Sequence, residues 1–208
     1  MRLVVSTFLT LDGVMQAPGG PDEDRDDGFD LGGWSFPYFD EDMGQTVGAS
    51  LDAASGLILG RRTYEIFAAH WPHVSEEHED GAVARTLNAL PKYVASTTLR
   101  APAWANTTVL SDVAAGVRDL KAGGEGELNV QGSSNLLQTL QREGLVDEYR
   151  LWACPVVLGR GKRLFASGST PRALELVETR ANSKGAVYSV YRTAGPPETG
   201  SFVAPDLG

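Results

Sequence analysis

Short apolar runs alternate with stretches of helical spacing along most of the chain. Leu3 to Leu9 is β-rich and reads as a strand buried on both faces. From Pro37 onward, Phe39, Met43, Val47 and Leu51 recur every four residues, the stripe of an amphipathic helix. Leu57-Ile58-Leu59 is a short strand that stops at Gly60, and a helix begins near Arg61. Lys92 to Thr97 and Thr107 to Leu110 read as further strands. Asp112 caps a helix whose inner face carries Val113, Val117 and Leu120. Leu128 to Val130 feeds Gly132-Ser133-Ser134 and a helix with Leu136, Leu137 and Leu140. Tyr149, Leu151 and Ala153 alternate with polar neighbours in a strand that runs on through Pro155 to Leu158. Leu174 to Thr179 and Ala186 to Tyr191 follow with no helix between them, as an antiparallel pair does. The order β-α-β-α-β-β-α-β-α, then β-β-β, predicts an α/β fold. Its central sheet is mostly parallel, with helices on both faces and an antiparallel C-terminal edge.

Two segments break the pattern. Gln16 to Gly33 is rich in Gly, Pro and Asp, with acids at 22, 23, 24, 26, 27 and 30, and predicts a long exposed loop. From Ala194 the chain turns to Gly, Pro and polar residues. Residues 1–193 are therefore expected to form one domain and 194–208 a flexible tail.

With 208 residues, 42% of them hydrophobic and 22% charged, the chain has enough apolar mass for one sizeable core. Eighteen Lys and Arg against 27 Asp and Glu give a net charge of −9. That charge excludes nucleic acid and anionic membrane surfaces as general partners, and any anionic ligand needs a local cationic pocket. The single cysteine, Cys154, excludes an intrachain disulfide and reads as a small buried hydrophobe. No segment approaches the roughly 18 apolar residues of a membrane span. The N-terminus reads as a strand rather than a signal peptide, so the cytoplasm is the expected location.

Ligands of open α/β sheets collect where strand ends meet helix N-termini. Three segments here have that character. Gly60-Arg61-Arg62-Thr63 offers close backbone approach, amides, a hydroxyl and two guanidiniums, or simply a helix start with solvated arginines. Ser96-Thr97-Thr98, near Arg100, is a second phosphate site or a plain strand end. Gly132-Ser133-Ser134-Asn135 is a third cradle, although Asn135 and Gln138 also fit a capping box. Together the three suggest a dinucleotide or another phosphorylated ligand. No Gly-x-Gly-x-x-Gly follows the first strand and no Walker lysine motif is present. Gly159-Arg160-Gly161-Lys162 reads as a tight loop. His70, His73 and His78 read as exposed loop residues, since Pro72 breaks any helix that would align them, and no metal is expected. No Gly-x-Ser-x-Gly elbow is present either.

The ordered set Leu11-Asp12-Gly13, Gly60-Arg61-Arg62-Thr63-Tyr64-Glu65, Ser96-Thr97, Gly132-Ser133-Ser134, Val146-Asp147-Glu148 with Pro155 to Gly159, and Arg163-Leu164-Phe165 resembles the dihydrofolate reductase-like superfamily. The branch it resembles contains the C-terminal reductase domain of bacterial riboflavin-biosynthesis deaminase/reductases and their stand-alone relatives. The resemblance spans about residues 2 to 193. It implies a reductase that binds NADPH across the strand ends. By analogy, Arg61, Arg62 and Thr63 below Gly60 meet the cofactor phosphates. Ser96, Thr97 and Thr98 lie near the adenosine 2′-phosphate, and Gly132, Ser133, Ser134, Asn135 and Leu136 cradle the pyrophosphate. Thr7, Leu9, Asp12 and Gly13 border the nicotinamide and the substrate.

Dihydrofolate reductases proper carry Gly-Gly where this chain has Gly132-Ser133, and an acid two residues after the proline of Trp-x-x-Pro. Here Trp34-Ser35-Phe36-Pro37 fits, but Phe39 holds the acid position and the carboxylate is Asp40. One residue turns a helical side chain by roughly 100°, which carries the cofactor half of the analogy over more fully than the substrate half. The resemblance thus implies hydride transfer to a small heterocycle, pterin-like or ribosylaminopyrimidine-like. The proton comes from water or from Asp12 or Asp40, and Trp34, Phe36, Tyr38 and Phe39 form either an aromatic wall or a staple of the loop. The alternatives are a true dihydrofolate reductase and a non-catalytic nucleotide-binding protein. Relatives of this branch pair as homodimers, and the late strands are the expected interface.

Overall fold

The computed structural model describes residues 1–202. Its centre is an eight-stranded sheet in the order β4-β3-β2-β5-β1-β6-β8-β7. The strands are β1 (Arg2–Thr10), β2 (Ala54–Gly60), β3 (Lys92–Ala95), β4 (Thr107–Leu110), β5 (Glu127–Gly132), β6 (Glu148–Cys154), β7 (Leu174–Ala181) and β8 (Val187–Thr193). The helices are α1 (Glu41–Asp52), α2 (Arg61–His70), α3 (Gly81–Ala89), α4 (Val113–Gly123) and α5 (Ser134–Arg142). β1 through β6 pair in parallel, while β8 and β7 add to β6 in antiparallel fashion. The first six strands are joined by crossovers; β1, β2, β5 and β6 are largely buried, β3 is half-buried, and β4 at the edge buries no residue. The last two are joined by a hairpin at the edge.

Side-chain alternation divides the core into layers. On one face Leu3, Val5, Ile58, Leu128 and Val130 pack against Val117 of α4 and Leu136, Leu137 and Leu140 of α5. On the other, Leu57, Leu59 and Val94 meet Leu51 of α1, Tyr64 of α2 and Leu87 of α3. A one-residue slip of β2 would exchange the two sets, so its register is strongly specified. Lys92 is fully buried at the start of β3. Its ammonium donates to the Leu87, Asn88 and Leu90 carbonyls at 2.7, 3.0 and 2.8 Å and lies 4.2 Å over the Trp104 ring.

Several elements depart from the sequence pattern. The helix expected from Pro37 begins at Glu41, because Asp40 is extended and caps it, and Phe36–Tyr38 is a separate 3-10 turn. α3 is an additional helix that the sequence pattern does not signal: its nine residues bury only Gly81, Ala84 and Leu87, too short a stripe to register as periodic. β6 ends at Cys154 instead of running on to Leu158, since Pro155 has no N–H to give the ladder. Asn135 and Gln138 form no capping box; the Gln138 amide donates instead to the Arg163 and Leu164 carbonyls.

The segment from Gln16 to Gly33 is not simply exposed. Gln16, Ala17 and Phe29 are buried within it. Its backbone finds partners because the Gln16 side chain donates to the Asp24 and Asp26 carbonyls, while Lys162 binds both carboxylates at 2.7 and 2.6 Å. Of the expected C-terminal tail, Ala194 and Gly195 pair with Ala173. Residues 203–208 lie outside the described residues. No helix among the described residues is long and apolar enough to cross a membrane.

Candidate active site

β2 and β5 are neighbours, yet the chain leaves them in opposite directions. α2 leads from β2 outward to β3, and α5 leads from β5 past β1 to β6. Such a divergence opens a crevice at the carboxyl ends of the strands, with a helix N-terminus on each side. Neither helix is capped by a side chain: Gly60 precedes α2, and Ser133 precedes α5 without capping it. The first amides of both helices are therefore available to an anion.

The crevice depends on two glycines. A Cβ at Gly60 would stand 3.0 Å from both the amide nitrogen and the Cβ of Ser133 and would overlap its hydroxyl. Gly132 has φ +150°, a conformation side chains rarely adopt, and a Cβ there would meet Thr63 Oγ1 at 3.0 Å. The two strand ends consequently approach more closely than any larger residue allows.

A cleft of about 630 Å³ extends from this point, well within the range of cofactor and substrate sites. Arg62, Thr63, Gly132, Ser133, Ser134 and Asn135 line one end, and Thr7 and Phe39 lie along it. Arg62 makes no hydrogen bond or close ion pair among the described residues. Lys162 foremost, and the Arg62 charge from across the cleft, hold the Asp26 carboxyl down, and the Arg62 N–H donors are available to a ligand. Arg61, Ser96, Thr97 and Thr98 do not line the cleft; Arg61 binds Glu65 at 2.7 Å and the Thr98 hydroxyl at the surface. Ser96 there accepts the amides of Thr98 and Leu99, and Thr97 is exposed beside them. Open helix amides, hydroxyls, a glycine cradle and one guanidinium with open donors fit the phosphates of a dinucleotide.

The remaining expected site residues are placed differently. Asp12 does not line the cleft, and Gly13 forms the turn beside it with φ +80°. The Asp12 carboxylate accepts from the Thr10 hydroxyl at 2.6 Å, the Gly159 and Leu158 amides at 2.9 and 3.2 Å, and Arg163 at 3.1 Å. The Thr10 bond above all holds its pKa down at about 2, against a smaller opposing effect of burial. This carboxylate fastens the turn after β1 to the segment after β6. Asp12→Asn is expected to cost about 1–2 kcal/mol in denaturant unfolding. Since the folded pKa is depressed, the wild-type advantage is present above the ordinary carboxylate range and disappears as pH falls toward 2.

Asp40 accepts from the Ser183 hydroxyl at 2.6 Å and from Met43 N, Ser183 N and Asn182 Nδ2, each at 3.1 Å. Led by the Ser183 bond, these lower its pKa. It joins α1 to the β7–β8 hairpin and lies off the cleft. Both carboxylates are occupied as acceptors and neither lines the cleft. Leu9 and Leu136 belong to the core, and the Trp34 indole donates to the Gln16 carbonyl inside the loop. Cys154 is buried, which raises its thiol to about 11.

Other cleft residues carried no local signal. Glu23 accepts the Gly19 and Gly20 amides of its own loop, and burial raises its pKa. Lys162 arrives from 138 residues beyond Asp24. Gln131 also lines the cleft, and its one sequence signal is its place directly before Gly132 at the end of β5. Exposed His78, Glu79 and Asp80 bring possible ligand atoms within 4.8 Å of one another, but His78 Nδ1 already accepts the Asp80 amide.

The chain is similar to known proteins in sequence and in fold. The chain is 28% identical over 198 residues to the uncharacterized protein YyaP of Bacillus subtilis (strain 168), covering 93% of this chain and 96% of that protein. Its fold is similar to the crystal structure of a putative riboflavin biosynthesis protein from Shewanella sp. PV-4. There the TM-score is 0.65 at 19% identity, over 93% of this chain and 99% of the other. A pyrimidine reductase-like protein from Corynebacterium diphtheriae gives a TM-score of 0.60 at 12% identity, over 93% and 92%. The architecture is thus the dihydrofolate reductase-like one, with its antiparallel C-terminal edge. Residues 2–188 match the family described as the RibD C-terminal domain, and the chain belongs to that family.

Proposed function

We propose that this protein is an NADPH-dependent reductase that delivers a hydride to a small heterocyclic substrate, pterin-like or ribosylaminopyrimidine-like. Family membership supports a reductase. The observation that carries the cofactor reading is the convergence of two uncapped helix N-termini, the Gly60–Gly132 cradle and the open Arg62 donors on one cleft at the strand ends. Arg62, Thr63 and the amides and hydroxyls of Ser133 to Asn135 would hold the cofactor phosphates. Arg61, Ser96, Thr97 and Thr98 would meet the 2′-phosphate at the surface, and Thr7 and Phe39 would border the substrate. When bound, the cofactor supplies the hydride. The chain orients donor and acceptor and limits water around them. Asp40, the carboxylate that the Trp-x-x-Pro comparison offers for a folate ring, is committed to α1 and the hairpin and lies off the cleft, which favours a substrate other than folate. We further propose a homodimer formed through the late strands and a cytoplasmic site of action.

Trp71 lines the cleft and provides a probe. Titration with NADPH should quench tryptophan fluorescence saturably and raise the melting temperature. Arg62→Ala should weaken binding about tenfold, the loss expected for one charge-assisted bond. Arg61→Ala should reduce the preference for NADPH over NADH by about as much, while leaving NADH affinity near wild type. Absence of quenching and thermal shift at millimolar NADPH would refute the reading.

A further inference from the structure

The sheet face beneath α1 is unusually polar for a helix–sheet interface. Ser6 of β1, Asn129 and Gln131 of β5, and Arg150 and Trp152 of β6 look toward Thr46 and Ser50 of α1. Gln131 donates to Asn129 at 3.0 Å. Asn129 donates to Ser50 at 2.9 Å and Ser6 at 3.1 Å, and the two serine hydroxyls lie 3.1 Å apart. A seam of hydrogen-bonding groups therefore runs through the layer where apolar packing is the rule.

Three cavities follow this seam. The inner one holds about 30 Å³ under α1, room for one or two waters with several polar partners each. It shares Ser6, Thr7 and Gln131 with the cleft. It shares Thr46, Ser50, Arg150 and Tyr188 with an open cavity of about 550 Å³ on the far side of α1. Trp152, which lines the inner cavity, is only 3% exposed, and its indole N–H has no acceptor among the described residues. An unmet buried donor is costly, and water in the cavity beside it removes that cost. Arg180 stands at the outer mouth, 4.4 Å over the Tyr188 ring and bonded to Thr46 at 2.5 Å.

We propose that this seam is a water-filled passage from the outer cavity to the cleft floor, and that it delivers the proton of the reduction. The second part rests on the reductase reading above. Adding a hydride to the carbon of a C=N or C=O bond moves the π electrons to the heteroatom, which must then take a proton. The innermost water gives it as one O–H bond breaks. That water regains a proton from the next one outward, and the deficit passes to bulk solvent beyond Arg180. No oxidant or further reductant is involved. Asp12 and Asp40 are thereby relieved of the donor role, and Glu23 stays engaged with its own loop.

The test is hydrogen exchange of the indole N–H groups by NMR on the full chain. Trp34 and Trp104 are also buried but donate to the Gln16 carbonyl and to Asn88. Trp152 N–H should exchange about 100-fold faster than that of Trp104 and show a cross-peak to water. Thr46→Leu, which narrows the passage, should slow Trp152 about tenfold and leave Trp104 unchanged. Protection of Trp152 equal to that of Trp104 overturns the passage, whatever NADPH does. Fast Trp152 exchange without NADPH binding overturns the proton role together with the reductase reading. If NADPH binds and a substrate turns over, Thr46→Leu should slow turnover about tenfold at unchanged NADPH affinity. An unchanged rate overturns proton delivery.

Discussion

Replacing Gly60 by alanine is expected to weaken NADPH binding about 100-fold, because overpacking of a tight contact costs up to about 3 kcal/mol. The added methyl would overlap the Ser133 hydroxyl and crowd its amide nitrogen at 3.0 Å. Either the start of α5 or the end of β2 must retreat, and the amides that face the crevice lose their common focus. Part of the obstruction is the Ser133 side chain itself, which supplies a second measurement. Ser133→Gly in the Gly60→Ala background should restore part of the affinity, and the double-mutant cycle should show coupling above the roughly 0.5 kcal/mol typical of independent sites. Circular dichroism and thermal melting of each variant separate loss of binding from loss of fold. Wild-type affinity in Gly60→Ala would show that the β2–β5 crevice is not where NADPH sits.

Lys92→Met should lower stability by about 3 kcal/mol at neutral pH, because three buried carbonyls lose their donor at about 1–3 kcal/mol each, which outweighs the relief from removing a buried charge. In a protein of this length, that corresponds to a fall in melting temperature of roughly 6–12 °C. Three carbonyls at the C-terminal end of α3 would lose their donor, and Trp104 its cation. Burial pushes the Lys92 ammonium down to about 8 from its ordinary 10.5. Below pH 8 the folded state carries the full penalty of a buried charge. Between 8 and 10.5 the unfolded chain binds the proton that the folded chain has released, so stability rises with pH. Relative to Lys92→Met, wild type should gain up to about 1.4 kcal/mol per pH unit across that window. Urea unfolding at pH 7 and pH 9.5 measures both. A difference between the two proteins that shrinks with rising pH would contradict this account of the buried amine.

Neither residue announces its role in the same way along the chain. Gly60 follows an apolar run and precedes two arginines and a threonine, and that local order marks a strand end that approaches a ligand. Lys92 looks like an ordinary charge at the head of a strand, and nothing nearby indicates that it caps a helix ending at Ala89. The same division runs through the acids. Asp112 before Val113 was legible as a cap because its partner, Ala115 N, lies three residues away. Asp40 also caps a helix, but nothing local shows its other partners, since Ser183 and Asn182 come from a hairpin more than 140 residues on.

The acidic loop shows the converse. Its composition alone suggested full exposure, yet Lys162 and Gln16 give its backbone and carboxylates enough partners to bury Phe29. The polar seam under α1 was equally illegible. Ser6, Ser50 and Asn129 are unremarkable alone, and they meet only because β1 and β5 are adjacent and α1 crosses them.

What the sequence determined by itself was therefore the local part: the alternation of parallel strands and helices, and the glycine, hydroxyl and arginine residues at three strand ends. Periodicity, backbone freedom and helix-terminal amides act over a few residues, and their consequences can be read there. The tertiary structure alone decided which carboxylates were consumed as acceptors, which arginine of the cleft kept its donors open, and where polar groups meet beneath α1. Burial and hydrogen bonding set those properties, and their partners lie up to 151 residues apart.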